Sequence, residues 1–228
     1  MMKRMVCLVL VLLLTLAMMA GCGGKKKSTP AATTEPVQEE HTLSLGVVEG
    51  NTYTSAYAGY GCTLPEDWTL LSAEEAQDIY EIMQDAVSDS EIGKLMEDGQ
   101  NFYDLVAESD DMMMNMNIVI QKLFAQERVI YERLSEEELT DMLLEQKDLM
   151  VEAYAAAGMT LVSMEKVRVD FLGEEHFAIR NVLDIEGITG YQLQLFNYKL
   201  GDYSVVLTLC SFQEDNTESM LDMFFAIE

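Results

Sequence analysis

Between residues 160 and 212 the chain repeats one pattern four times. Stretches 160–171, 176–185, 188–199 and 203–212 are rich in β-branched, aromatic and other apolar residues, as strands are. Gly173, Gly187 and Gly201-Asp202 separate them, and Glu186-Gly187 and Gly201-Asp202 are tight-turn signals. A crossover between parallel strands needs a dozen or more residues, so connections this short fix an antiparallel meander. Whatever else the chain builds, it builds on an antiparallel sheet.

Other strands join that sheet. Residues 52–57 and 60–64 read as two short strands around Ala58-Gly59, stopped by Pro65, which cannot donate to a ladder. Residues 102–108 and 112–123 read as a hairpin around Ser109-Asp110-Asp111. In its second strand Met114, Met116, Ile118 and Ile120 alternate with Asn115, Asn117, Val119 and Gln121. That period of two predicts one buried face and one mixed face. The methionines raise a soft-metal reading, since thioethers suit Cu(I). No paired His or repeated Met-x-x-Met accompanies them, and alternating core packing explains them.

Four helices are expected. One starts at Ser72, which has capping-box spacing to Glu75. Its apolar stripe runs through Ala76, Ile79, Tyr80, Met83 and Val87. A short helix over 90–98 ends at Gly99. The longest covers 135–157, with Ser135 and Glu138 as its capping pair and Gly158 as its stop. The last covers 216–226. Apolar residues on both strand faces call for cover on both sides. The fold class is therefore α+β, an antiparallel sheet of about seven strands with helices on both faces. This order of elements, with Tyr60-Gly61-Cys62-Thr63-Leu64-Pro65-Glu66-Asp67-Trp68, resembles the PsbP-like α/β/α sandwich over about residues 51–228. Cys62 stands where that group commonly has an aromatic or aliphatic residue. Gly61 suits a close backbone approach, Pro65 a strand end, and Trp68 a plug for one end of the sheet. The resemblance implies a fold and no reaction, and fold alone does not select a function.

The N-terminus bears on location. Lys3 and Arg4 precede an apolar run broken only by Thr15, which leads to Met19-Ala20-Gly21-Cys22. This is the pattern of a secretory signal. The run is shorter than the roughly 20 residues that a bilayer-spanning helix requires. The last four residues resemble a bacterial lipoprotein lipobox, with Met19 in place of the usual Leu. That resemblance implies removal of residues 1–21 and acylation of the Cys22 sulfur. Lys25-Lys26-Lys27 would add attraction to anionic head groups. A single acyl chain anchors only marginally, and the lipobox family supplies two. Residues 22–50, poor in apolar bulk, are expected to be a disordered tether, and 51–228 a single domain.

The formal net charge is −26, and removing Lys3 and Arg4 with the signal takes it to −28. Such a surface repels phosphate and excludes nucleic acid as a partner. The expected partners are the membrane, through the lipid, and an envelope protein. Of four cysteines, Cys7 leaves with the signal and Cys22 takes the lipid. Cys62 and Cys210 sit in strand patterns and read as buried thiols, with a disulfide as the alternative in an exported protein.

No catalytic set emerges. His41 lies in the tether, and His176 reads as a strand-end residue beside Glu174 and Glu175. No Gly-x-Ser-x-Gly, Cys-x-x-Cys, His-x-x-x-His or phosphate-cradling glycine loop occurs. No cofactor or metal is expected, and Asp110-Asp111 reads as a solvated turn before it reads as a Ca²⁺ site. Three roles stay open: a membrane-anchored, non-catalytic interaction or assembly module, a small-ligand receptor, and an enzyme built on carboxylates alone. The missing catalytic groups favour the first.

Overall fold

The computed structural model describes residues 43–72, 74–76, 78, 81 and 101–227. Its main sheet has seven antiparallel strands. β4 (Trp68–Leu70), β5 (Asn101–Ser109) and β6 (Met114–Lys122) form one half. β7 (Thr160–Phe171), β8 (Glu174–Ile185), β9 (Ile188–Leu200) and β10 (Tyr203–Phe212) form the meander. β10 docks along β6, giving the order β4-β5-β6-β10-β9-β8-β7. The turns at Leu172-Gly173 and Glu186-Gly187 have positive φ at both residues, which suits the twist of a two-residue hairpin.

A second sheet lies on one face, in the order β1-β2-β3-β11. β1 (Val47–Glu49), β2 (Thr52–Ser55) and β3 (Tyr60–Thr63) form a small meander. β11 (Phe224–Ala226) closes it beside β3. The core lies between the two sheets. Leu105, Met116, Ile118, Leu193, Leu207 and Leu209 of the large sheet meet Tyr53, Tyr60, Cys62 and Phe224 of the small one. The opposite face of the large sheet carries α1 (Ala125–Tyr131), α2 (Glu136–Leu144) and α3 (Lys147–Ala156). There Leu139 and Leu143 pack with Ile179 and Val206.

Five expectations change. The strands read over 52–57 and 60–64 do not join the large sheet but pair with β1 and β11 in a sheet of their own, because β11 supplies β3 with a partner edge. The ordered chain reaches back into the stretch read as tether, because β1 pairs with β2 and Leu43 packs on the core. The helix expected over 216–226 is one turn, α4 (Thr217–Met220), and a 3₁₀ turn (Leu221–Met223). The chain then becomes β11, because Phe224 finds Tyr60 and Phe171 at ring distances of 5.8 and 5.6 Å. The helix expected over 135–157 breaks at Gln146, where φ is −90° and ψ 14°. Beyond the break, the Tyr154 hydroxyl donates to Gln192 Oε1 at 2.8 Å. α1 was not foreseen. Its start has no Ser, Thr, Asp or Asn, and Glu127 alone accepts from the Phe124 N–H, at 2.8 Å. The helix expected over 90–98 lies outside the described residues. So does most of that from Ser72, whose Oγ accepts from Glu75 N at 3.2 Å as the capping spacing predicts.

The mixed face of β6 is also buried, which alternation alone does not reveal. Asn115, Cys210, Gln192 and Asn181 stand side by side across four strands, and Asn117, Thr208 and Gln194 form the next row. All are at most 1% exposed. Buried amides are costly unless bonded. Here the Gln192 Oε1 also accepts from Asn181 Nδ2 at 3.0 Å, and Gln194 Nε2 donates to Thr208 Oγ1 at 3.3 Å.

Candidate functional site

The site follows from an interruption in the sheet. β8 and β9 pair from Ile185↔Ile188 to Ala178↔Leu195 and no further. β8 continues with β7 to the turn at Leu172-Gly173, pairing Phe171 with Glu174. β9 continues with β10, pairing Leu200 with Tyr203. On that ladder Leu200↔Tyr203 and Asn197↔Val205 leave one extra residue in β9. Such a bulge bends its strand. The two hairpins therefore splay at their tips.

Between the tips lies an open cleft of about 460 Å³. One lip is Phe171, Leu172, Glu174 and His176, and the other is Leu195, Phe196 and Asn197. The small sheet adds Tyr60, and α2 adds Glu136 and Leu139. Thus the cleft reaches both layers flanking the large sheet. His176 lies on the same side of β8 as Ala178, a residue of the inter-sheet core. Its Nδ1 nonetheless lies 3.0 Å from Glu136 Oε1 on α2, which packs against the other side at Ile179. The pair bridges the sheet through the opening.

The wall is aromatic. Phe171 packs edge to face with Tyr60 at 5.4 Å and with the His176 ring at 6.0 Å. Burial raises the Tyr60 hydroxyl well above its ordinary range, so it stays neutral. Among the described residues, the polar groups of the lining are Glu136, Glu174, His176, Asn197 and Tyr60, with no Ser, Thr, Cys, Lys or Arg.

Other sequence-derived candidates fall elsewhere. Cys22 and His41 lie outside the described residues. Asp110 and Asp111 form the β5–β6 turn. Asp111 Oδ1 accepts from Ser109 Oγ at 2.7 Å and Met113 N at 2.9 Å, which makes it a stronger acid, its pKa below the usual carboxylate range. Met116 is in the core, as alternation predicts. Cys62 and Cys210 are buried thiols that form no disulfide. Cys62 belongs to the inter-sheet core, whereas Cys210 neighbours Gln192 on the far side of the large sheet. The sheet itself keeps the thiols apart. Gly61 answers to the close approach expected of it, since a Cβ there would meet Tyr53 O at 2.5 Å. Trp68 is buried in the core at the start of β4. Among the described residues, no group of three His, Cys, Asp or Glu is placed to hold a metal, and no helix is long and apolar enough to cross a membrane.

His176 as a cleft residue was not legible in the sequence, because its partner is forty positions away. The same holds for the bulge that opens the cleft.

No family model matches the chain, and no curated protein matches it. Among solved structures it is similar to the solution structure of cyanobacterial PsbP (CyanoP) from Synechocystis sp. PCC 6803. The identity is 11% and the TM-score 0.43, over 87% of this chain and 100% of that one. It is also similar to a crystal structure from Bacteroides thetaiotaomicron VPI-5482, at 12% identity and TM-score 0.34. That match covers 79% of this chain and 50% of the other.

Proposed function

We propose that the chain is a lipid-anchored, extracytoplasmic and non-catalytic binding module that recognises its partner through the cleft between the β7–β8 and β9–β10 hairpins. Support for the anchor comes from Met19-Ala20-Gly21-Cys22 and Lys25-Lys26-Lys27. The observation that carries the binding role is the end of β8–β9 pairing inside an otherwise continuous sheet. Bulges and the ladder disruptions they bring are over-represented next to functional sites. Among the described residues, the lining gives its histidine and carboxylates no Ser, Thr, Cys or Lys to activate.

Two measurements test the two halves. Mass spectrometry of the N-terminal peptide from native membranes is expected to find diacylglyceryl-modified Cys22; a chain starting before Cys22 overturns the anchor. Pull-downs from detergent-solubilised membranes are expected to recover a partner with the natural chain and to lose it with Leu195→Glu. Equal recovery by both overturns the cleft as the recognition site. A small-ligand receptor is the second reading, favoured by a volume within the few-hundred-Å³ range of ligand pockets.

A further inference from the structure

Resting on the cleft as recognition site, the geometry points to the chemical class of what enters it. We propose that the cleft takes an organic cation, an ammonium or guanidinium carried on an apolar stem.

Two carboxylates stand at the cleft, Glu136 from α2 and Glu174 from the β8 lip. Among the described residues, no lysine or arginine lines the opening. The cations of β7 are taken up by other acids: Lys166 by Glu137 and Asp141, and Arg168 by Glu175. Among the described residues, Glu136 meets only the weaker donor His176, at 3.0 Å and with both side chains about one-third exposed. A stronger cationic donor can therefore displace the imidazole without breaking a buried ion pair.

The walls suit the rest of such a ligand. Phe171 offers an aromatic surface within the same cleft, and a cation near a ring face is attracted to its quadrupole. Leu195 and Leu207 give the stem an apolar floor. An anion would instead meet two carboxylates in a strongly acidic protein.

The test is titration of the full chain, in neutral detergent, with n-butylammonium, n-butanol, n-butyrate and a short acetylated lysine peptide, followed by NMR shifts of cleft residues. The expected result is that butylammonium, the peptide or both shift these residues, while butanol and butyrate do not. Glu136→Gln with Glu174→Gln is expected to weaken that binding about tenfold, the factor that 1.4 kcal/mol of charge-assisted bonding represents. His176→Ala is expected to strengthen it by freeing Glu136. Binding of the peptide alone identifies a side chain of a protein partner, and binding of free butylammonium a small amine; both uphold the inference. Equal shifts with butanol or butyrate overturn the cationic class and leave the cleft as a site. Silence of the cleft residues towards all four probes overturns the class and the site together.

Discussion

Asp104 shows how one residue joins the two sheets. It is the extra residue of a bulge in β5, between the pairs Tyr103↔Val119 and Leu105↔Ile118. Its carboxylate accepts from the Tyr53 hydroxyl at 2.6 Å and from the Gly46 N–H at 2.6 Å. Tyr53 is fully buried, so Asp104→Ala strands a hydroxyl and is expected to cost about 2 kcal/mol. A fall in the urea midpoint checks it, and an unchanged midpoint refutes it. The buried hydroxyls and thiol also set a pH limit. Burial pushes Cys62 from 9.0 up to about 12 and Tyr57 from 10.0 up to about 12, and it also raises Tyr53 and Tyr154 well above their ordinary range. These groups are neutral in the folded chain, whereas the unfolded chain releases their protons from about pH 9. Their stabilisation is complete below pH 9 and declines as pH rises towards 12. Urea titrations at stepped pH are expected to show that decline.

At the scale of elements, the strands were legible and the helices only in part. Turn glycines and period-two alternation are local signals, and the meander follows from them. Helix ends inside 135–157 and 216–226 are set by distant partners. β11 exists because β3 offers an edge and because Phe224 completes an aromatic trio with Tyr60 and Phe171. Phe224→Ala is expected to cost about 3–4 kcal/mol, read as a drop in the unfolding midpoint. A loss under 1 kcal/mol, roughly that of an exposed site, would mean that the strand is incidental. The buried polar rows of the large sheet were missed for a related reason. Asn115 and Asn117 look solvated in one strand and come to lie beside Cys210 and Thr208 only when β10 is aligned with it.

For the whole molecule, a net charge of −26 is the dominant long-range fact. Like charges this numerous repel within the folded chain. Screening shortens their reach from about 10 Å at 0.1 M salt to about 3 Å at 1 M. Melting is therefore expected to rise with NaCl by about 2–4 °C, the change that 1 kcal/mol gives in a chain of this size. A falling Tm would show that ion pairs such as Lys166 with Asp141 outweigh the repulsion.

By itself the sequence determined the α+β class, the antiparallel meander and the acidic surface, because turn chemistry, strand period and charge are properties of neighbours in the chain. Tertiary structure decided the second sheet, the break in the long helix and the cleft. Each depends on residues tens of positions apart, such as His176 and Glu136, whose meeting follows from strand register and a single bulge rather than from any local pattern.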